Sequence, residues 1–229
     1  MKYAPLLLSA LTIILLNGCS GTYKAYYQTL QIAFADKKDT QMTLVDVQQS
    51  EVDVISVKRG DRPAAIMALA YLENDQHKWV SNDKVMLIMK KGRLIRTLGL
   101  IDNQVFLSNL NNDPLNSISA DESKGILISE PWERIADRTG DQYGYPLKSV
   151  FSPAQQDTLQ VLNLNIETIY YVETVNYDAP TNYVRLNNSW KNRFWYAKDG
   201  VLLKSIQSIS PLSEALEITY LSRIARLNK

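Results

Sequence analysis

The chain holds one cysteine, Cys19, and one histidine, His77. A lone thiol excludes a disulfide within the chain, and a single imidazole excludes a multi-histidine metal site. A histidine-dependent catalytic triad would have to use His77, which lies in the polar stretch ENDQHKW and reads as part of a turn. The signatures of common enzyme classes are also missing: there is no GxSxG elbow, GxGxxG fingerprint, phosphate-binding loop or HExxH pair. Neither sign of charge is in excess, with 25 basic against 24 acidic residues, so nucleic acid or another polyanion is not the expected partner. Glycine and proline are sparse and scattered, so no low-complexity linker divides the chain, and no internal repeat emerges.

Paired carboxylates remain as a route to catalysis, since glycosidases hold two acids at a set separation. Glu130 and Glu133 flank Pro131 and Trp132 and read as a solvated turn around a core tryptophan. Glu167 and Glu173 share strand parity, but six residues of extended chain hold them about 20 Å apart. The expectation is therefore no enzymatic activity, no catalytic residue, no metal and no cofactor.

What is present begins at the N-terminus. Lys2 supplies one positive charge, and an apolar run, LLLSALTIILL, occupies residues 6–16. As a helix this run spans only about 16 Å, too little for a bilayer core of about 30 Å. One cation, a short apolar segment and a small residue before the cut describe a secretory signal peptide. Gly18 followed by Cys19 resembles the lipobox of bacterial lipoproteins, in which the thiol is acylated with diacylglycerol and fatty acid (palmitate) and becomes the new N-terminus. The expected organisation is a leader over 1–18 and one β-rich periplasmic domain over 19–229, anchored through lipidated Cys19. Removing Lys2 with the leader leaves basic residues equal to the 24 acidic ones. Ser20, where an aspartate would mark inner-membrane retention, implies sorting to the outer membrane.

Behind the anchor, Tyr23, Tyr26, Tyr27, Leu30, Ala33 and Phe34 recur at spacings of three and four, predicting a helix that Thr22 or Ser20 caps. Beyond Val52 the texture changes to short β-branched and aromatic runs punctuated by glycine, asparagine and aspartate, which read as strands and hairpins. Turns are expected near Lys91-Gly92 and at Asp199-Gly200. Over residues 166–177 polar and apolar positions alternate in mixed register, as when both faces of a strand meet something, and SPAQQDTLQVL reads as a possible helical turn. The predicted fold is mainly β: an antiparallel sandwich or partly closed barrel with one or two helices, including the N-terminal helix after the anchor.

Candidate contact residues are aromatic. Trp132, Trp190 and Trp195, with Tyr143 and Tyr145, come from segments that also carry arginine and asparagine, a chemistry that suits sugar stacking as well as a protein core. In KNRFWYAKDG, Phe194 and Tyr196 share one strand face while Trp195 shares the other with Arg193 and Ala197. Trp195 is thus a core, docking or sugar-stacking residue. In KKGRLIRTLGL, Arg96 falls on the parity of Leu94 and Leu98, which predicts a buried guanidinium held by a carboxylate.

Order and spacing of several pieces resemble one known family. Trp79, Gly92-Arg93 and the run Arg96-Thr97-Leu98-Gly99-Leu100 are followed by Asn192, Phe194-Trp195, the Gly200 turn, Lys204-Ser205, Gln207 and Pro211. With the lipobox, this order is similar to the YjbF/GfcB family of group 4 capsule and exopolysaccharide lipoproteins. The stretch 102–145 carries no recognisable family piece. The resemblance implies an outer-membrane lipoprotein facing the periplasm, working with an outer-membrane β-barrel protein and a soluble periplasmic protein in polysaccharide secretion, and it carries over no catalytic residue. Two readings follow: an interaction module docked on the export barrel, or a protein that binds (or trims) the polysaccharide itself.

Overall fold

The computed structural model describes residues 39–118, 130–140, 142–177 and 188–227. A short helix, α1 (Leu44–Gln49), opens this part, followed by β1 (Val54–Arg59), β2 (Ala65–Glu73), β3 (Gln76–Ser81), β4 (Met86–Lys90), β5 (Arg93–Leu98) and β6 (Gln104–Leu107). Two 3-10 turns, Leu110–Asn112 and Pro114–Ser117, lead on. Then come β7 (Trp132–Arg138), β8 (Gln142–Phe151), β9 (Gln155–Val161), β10 (Leu164–Tyr177), β11 (Ser189–Tyr196), β12 (Leu202–Gln207), β13 (Leu216–Thr219) and the closing helix α2 (Leu221–Leu227).

All thirteen strands join one antiparallel sheet in the order β5-β4-β3-β2-β1-β13-β12-β11-β10-β8-β7-β6, with β9 paired to β10 off this path. The two ends of the path, β5 and β6, meet through side chains. Gln104 donates its backbone N–H to Thr97 Oγ1 at 3.0 Å and its side-chain amide to the Leu94 carbonyl at 2.9 Å. Edge groups that would otherwise lie bare are thereby satisfied, and the sheet becomes a nearly closed barrel.

Hairpin turns fix much of this register. Asn74-Asp75, Lys91-Gly92 and Leu162-Asn163 all hold positive φ at both positions, the twist-matched solution for two-residue loops. Lys91-Gly92 was expected. At Gly92 (φ 88°) the backbone also runs so close to β12 that an added Cβ would lie 2.3 Å from Leu202 Cδ2. The predicted Asp199-Gly200 turn forms inside a slightly longer loop, in which Ala197 N–H donates to the Val201 carbonyl at 2.9 Å. SPAQQDTLQVL is strand rather than helical turn, because residues 155–161 pair with β10 throughout. His77 is likewise part of β3, not a turn, and its ring stacks on Trp79. The helix predicted over residues 22–34 lies outside the described residues.

The interior holds two apolar clusters. One is built on Ile55, Trp79, Leu87, Tyr171, Phe194 and Tyr220, the other on Leu107, Trp132, Leu147 and Val175. Outside, α2 packs Ile224 against Leu159, Ala197 and Leu203, while Leu221 and Ala225 meet Val47 and Val54. A capping box starts α1: Thr43 Oγ1 accepts from Asp46 N–H, and Asp46 Oδ2 accepts from Thr43 N–H. The mixed register of β10 now has its cause. Leu164 and Ile166 pack outward beneath α2, whereas Tyr171 and Val175 face inward.

Candidate functional site

The most concentrated chemistry lies inside the barrel. Arg93 at the start of β5 is buried, and its guanidinium forks onto Asp113, with Nε to Oδ2 at 2.8 Å and Nη2 to Oδ1 at 3.0 Å. Its remaining nitrogen, Nη1, reaches Glu173 Oε2 at 2.5 Å. Glu173, fully buried at the middle of β10, also takes Arg134 Nη2 at 3.3 Å, the Ser149 hydroxyl at 2.7 Å and the Asn192 amide at 2.8 Å. Arg134 donates in addition to Ser149 Oγ at 2.9 Å. The guanidinium carbons of Arg93 and Arg134 lie over the Trp132 ring at 4.7 and 4.0 Å.

Strand parity brings these groups together. On β7, Trp132, Arg134 and Ala136 alternate inward against exposed Glu133 and Ile135. On β10, Tyr171, Glu173 and Val175 do the same, and Asn192 faces Glu173 directly across the β10–β11 ladder. Asp113 arrives differently. It caps the second 3-10 turn by accepting from Leu115 N–H at 3.1 Å, so the turn Pro114–Ser117 is held against the barrel interior by the Asp113–Arg93 pair.

Two cations and two carboxylates cancel formally, which is the condition for burying charge at tolerable cost. Burial alone would raise the Glu173 carboxyl, but the Arg93 and Arg134 guanidiniums, with hydrogen bonds from Arg93 and Ser149, hold it at about 2. Burial lowers both arginines, with opposite outcomes. Arg93, facing both Asp113 and Glu173, ends above the ordinary guanidinium value; Arg134, drawn mainly to Glu173 with a smaller pull from Asp113 and repelled by Arg93, falls to about 10. Glu173, Arg93 and Arg134 stay charged at neutral pH. The carboxylates and guanidiniums here are spent on one another and on their neighbours, so the arrangement clamps six elements together.

Family-like pieces noted in the sequence surround this cluster. Gln207 Oε1 accepts from Leu94 N–H at 3.0 Å while its amide donates to the Gly92 carbonyl at 2.9 Å and to Ser205 Oγ at 3.0 Å. Asn192 Oδ1 accepts from Ser208 N–H at 2.9 Å. Gly92, Arg93, Asn192, Ser205 and Gln207 thus form one connected interior network. Asp113 and Arg134, equal members, fall in the stretch 102–145 that offered no recognisable piece. The signal that could have found Arg134 is its inward parity with Trp132; for Asp113 none exists short of the fold.

Arg96 is the clear correction. It is exposed, and the buried, carboxylate-held guanidinium is Arg93. The inference failed because Leu98, taken as marking an apolar face, is itself 41% exposed, and because an irregularity opposite Ile88 and Met89 breaks the alternation of β5.

The other candidates scatter. Trp132 is buried within the ion cluster, with Nε1 donating to the Asn109 carbonyl at 3.1 Å. Trp190 is half-buried, bound to the Ser208 carbonyl at 2.9 Å. Trp195 is 9% exposed on the outer side of β11. Its ring meets Tyr170 at 4.8 Å and Lys204 at 5.4 Å, and its Nε1 donates to Asp157 at 2.7 Å. Arg193, half-buried, stands one pleat from it on the same face. Tyr143 is exposed, and Tyr145 packs against Tyr177 at 5.0 Å, so no joint aromatic platform forms from these rings. Glu133 pairs with Lys148 and Glu167 with Lys198 at the surface. Burial, with Arg223 nearby, pushes His77 below its ordinary value. Cys19 lies outside the described residues, among which no group of three metal-ligating side chains occurs. Some surface features of the described residues also bear on function. A cleft of about 510 Å³ is lined in part by Ile118, Gln156, Thr158, Ile169, Tyr171 and Tyr196. Phe106, Ile135 and Val150 stand about half exposed as separate side chains on the outer wall of β6–β8, with the Glu133–Lys148 ion pair between Ile135 and Val150.

A nearly closed antiparallel sheet, stapled internally by a neutral ion cluster, defines a β-barrel-like domain whose interior is filled rather than hollow. The chain belongs to the YjbF family: the family described as "Group 4 capsule polysaccharide lipoprotein gfcB, YjbF" matches residues 27–221. Among its relatives, the lipoprotein GfcB of Escherichia coli K12 is 26% identical over 95% of this chain and 97% of its own length. The lipoprotein YjbF of the same organism is 29% identical over 86% of this chain and 88% of its own. The crystal structure of the lipoprotein YmcC from Escherichia coli superposes with a TM-score of 0.66 at 25% identity, covering 80% of this chain and 89% of that one.

Proposed function

We propose that this protein is an outer-membrane lipoprotein, acylated at Cys19 and facing the periplasm, that acts as a non-catalytic interaction module in capsule or exopolysaccharide secretion, docking on an outer-membrane β-barrel protein of the same system. The observation that carries this reading is the family match across residues 27–221, a family described by group 4 capsule polysaccharide lipoproteins. The interior supports it: its charges are consumed by one another, which leaves the outer walls and strand edges for contact. The half-exposed apolar side chains of Phe106, Ile135 and Val150 on the outer wall of β6–β8 are available to such a contact. Solubilised outer membranes from cells expressing the parent chain should yield the barrel protein on affinity capture, identified by mass spectrometry. The Cys19→Ser chain should take up no fatty-acid probe and bring down no barrel protein. Equal labelling of parent and variant would refute the anchor; capture without the barrel protein would refute the docking.

The alternative reading, direct binding of the exported polysaccharide, is favoured by the 510 Å³ cleft, where amide, hydroxyl and tyrosine groups stand together. Retention of the purified chain on immobilised polymer tests it.

A further inference from the structure

Among the described residues, strand β9 pairs on one side only. Its ladder to β10 runs from Gln155↔Tyr170 to Val161↔Leu164 without a register shift and closes through the two-residue turn Leu162-Asn163. Such a turn makes its flanking residues a mutually hydrogen-bonded pair, and the bonding then alternates along the strand. Val161, Leu159, Asp157 and Gln155 therefore direct their main-chain groups at β10, while Gln156, Thr158 and Gln160 direct theirs away from it. Two contacts agree with this phase. The Asp157 carbonyl, on the β10 side, accepts from Thr168 Oγ1 at 3.0 Å, and the outward Thr158 N–H is taken by the Asp157 carboxylate at 2.8 Å.

Bare edges are usually guarded by lysine, proline, a bulge or an inward-pointing charge. Residues 155–161 contain no lysine, arginine or proline, and the ladder has no bulge. Asp157 is the one charged residue, and its other oxygen is held by Trp195 Nε1 at 2.7 Å. Gln155, Gln156, Thr158 and Gln160 are exposed.

We propose that β9 is a self-association edge, to which a second copy of this chain adds its own β9 antiparallel about a two-fold axis at Thr158. The sequence of the edge is self-complementary in that arrangement. Thr158 faces Thr158 of the second copy, a pairing whose hydroxyls hydrogen-bond across strands. Gln156 faces Gln160 of the second copy and the reverse, so amide meets amide on the side of the cleft. On the other side Asp157 faces Leu159 of the second copy, and no two like charges stand directly opposed. The outward N–H and C=O groups of Gln156, Thr158 and Gln160 find partners reciprocally, with Thr158 N–H exchanging the Asp157 carboxylate for a carbonyl. A two-fold axis is also the commonest symmetry of homo-oligomers. Contact through one strand edge is small, so the dimer is weak in solution and visible chiefly at high protein concentration. This inference stands on the edge itself and does not depend on the docking reading above.

The test uses the full chain carrying Cys19→Ser, so that an introduced cysteine is the lone thiol. Thr158→Cys should cross-link to a dimer with a short bismaleimide, while Lys191→Cys, on exposed β11, should not. Sedimentation equilibrium of the chain without an added cysteine should show the mass rising towards twice the monomer value with concentration. Thr158→Pro removes an outward N–H without touching the β10 ladder and should abolish both signals with an unchanged circular dichroism spectrum. If that variant fails to fold, Gln160→Lys, which guards the edge with charge, should weaken dimerisation at least tenfold. A monomer at every concentration, equal cross-linking at positions 158 and 191, or cross-linking from 158 to a different protein with none to itself would each overturn the proposal.

Discussion

Replacing Glu173 by glutamine keeps the side-chain volume and removes one charge from the centre of the barrel. In the parent chain this carboxylate accepts from Arg93, Arg134, Ser149 and Asn192. Glu173→Gln leaves Arg93 with Asp113 alone and Arg134 with no carboxylate in contact, still over the Trp132 ring but uncompensated. Two independent routes give the magnitude. Breaking a buried ion pair by removing one partner costs about 3–5 kcal/mol. The carboxyl, held at about 2 against an ordinary 4.5, reports on the order of 3 kcal/mol of preference for the charged form. Urea unfolding followed by tryptophan fluorescence should therefore show a loss of about 3 kcal/mol with an unchanged slope against denaturant. Acidification supplies a second readout. Because the folded carboxyl lies below its unfolded value, its contribution is complete above pH 4.5 and is lost as pH falls towards 2. The parent should lose that stability across this window, and Glu173→Gln should be flatter there by a comparable amount. A loss below about 1 kcal/mol, together with an identical acid slope, would refute the reasoning that this cluster staples the barrel.

Three further substitutions probe the same structure. Arg96→Ala, at an exposed position, should leave the melting temperature within a degree or two, whereas Arg93→Ala should lower it by about 6–12 °C, on the order of 3 kcal/mol; equal effects would contradict the assignment of the buried guanidinium. Trp195→Ala removes the Tyr170 contact and the bond to Asp157 and should cost about 3 kcal/mol in urea unfolding; a variant as stable as the parent that loses its export partner would instead make Trp195 a docking residue. Gly92→Ala forces a Cβ into Leu202 at positive φ and should destabilise by about 1–3 kcal/mol, measured by thermal unfolding, where the same change in an open helix or strand would stabilise by about 0.5–1 kcal/mol.

Sequence alone determined the β character of the chain, because alternating β-branched and aromatic runs broken by turn residues have no helical solution. It also located the Lys91-Gly92 hairpin, since that turn is set by two adjacent residues and nothing distant. The family order was legible for the same reason: Trp79, Gly92-Arg93, Asn192 and Gln207 can be read off in line, although they meet only in the barrel. What the tertiary structure decided was which arginine is buried. Parity along β5 is a local property, but whether a face looks inward depends on a bulge and on where the sheet closes, and both are fixed by strands far away in the chain. Asp113 shows the limit most plainly. It sits in a polar run, NNDPLNS, that reads as surface turn, and only the folding of that turn into the barrel gives Arg93 its partner. Glu173 shares strand parity with Glu167, and their separation along the chain alone rules the two out as a catalytic pair. Six residues along one strand placed Glu167 at the surface beside Lys198 and Glu173 at the centre, because β10 crosses from the covered rim of the barrel into its interior, where only a charge met by other charges can be held.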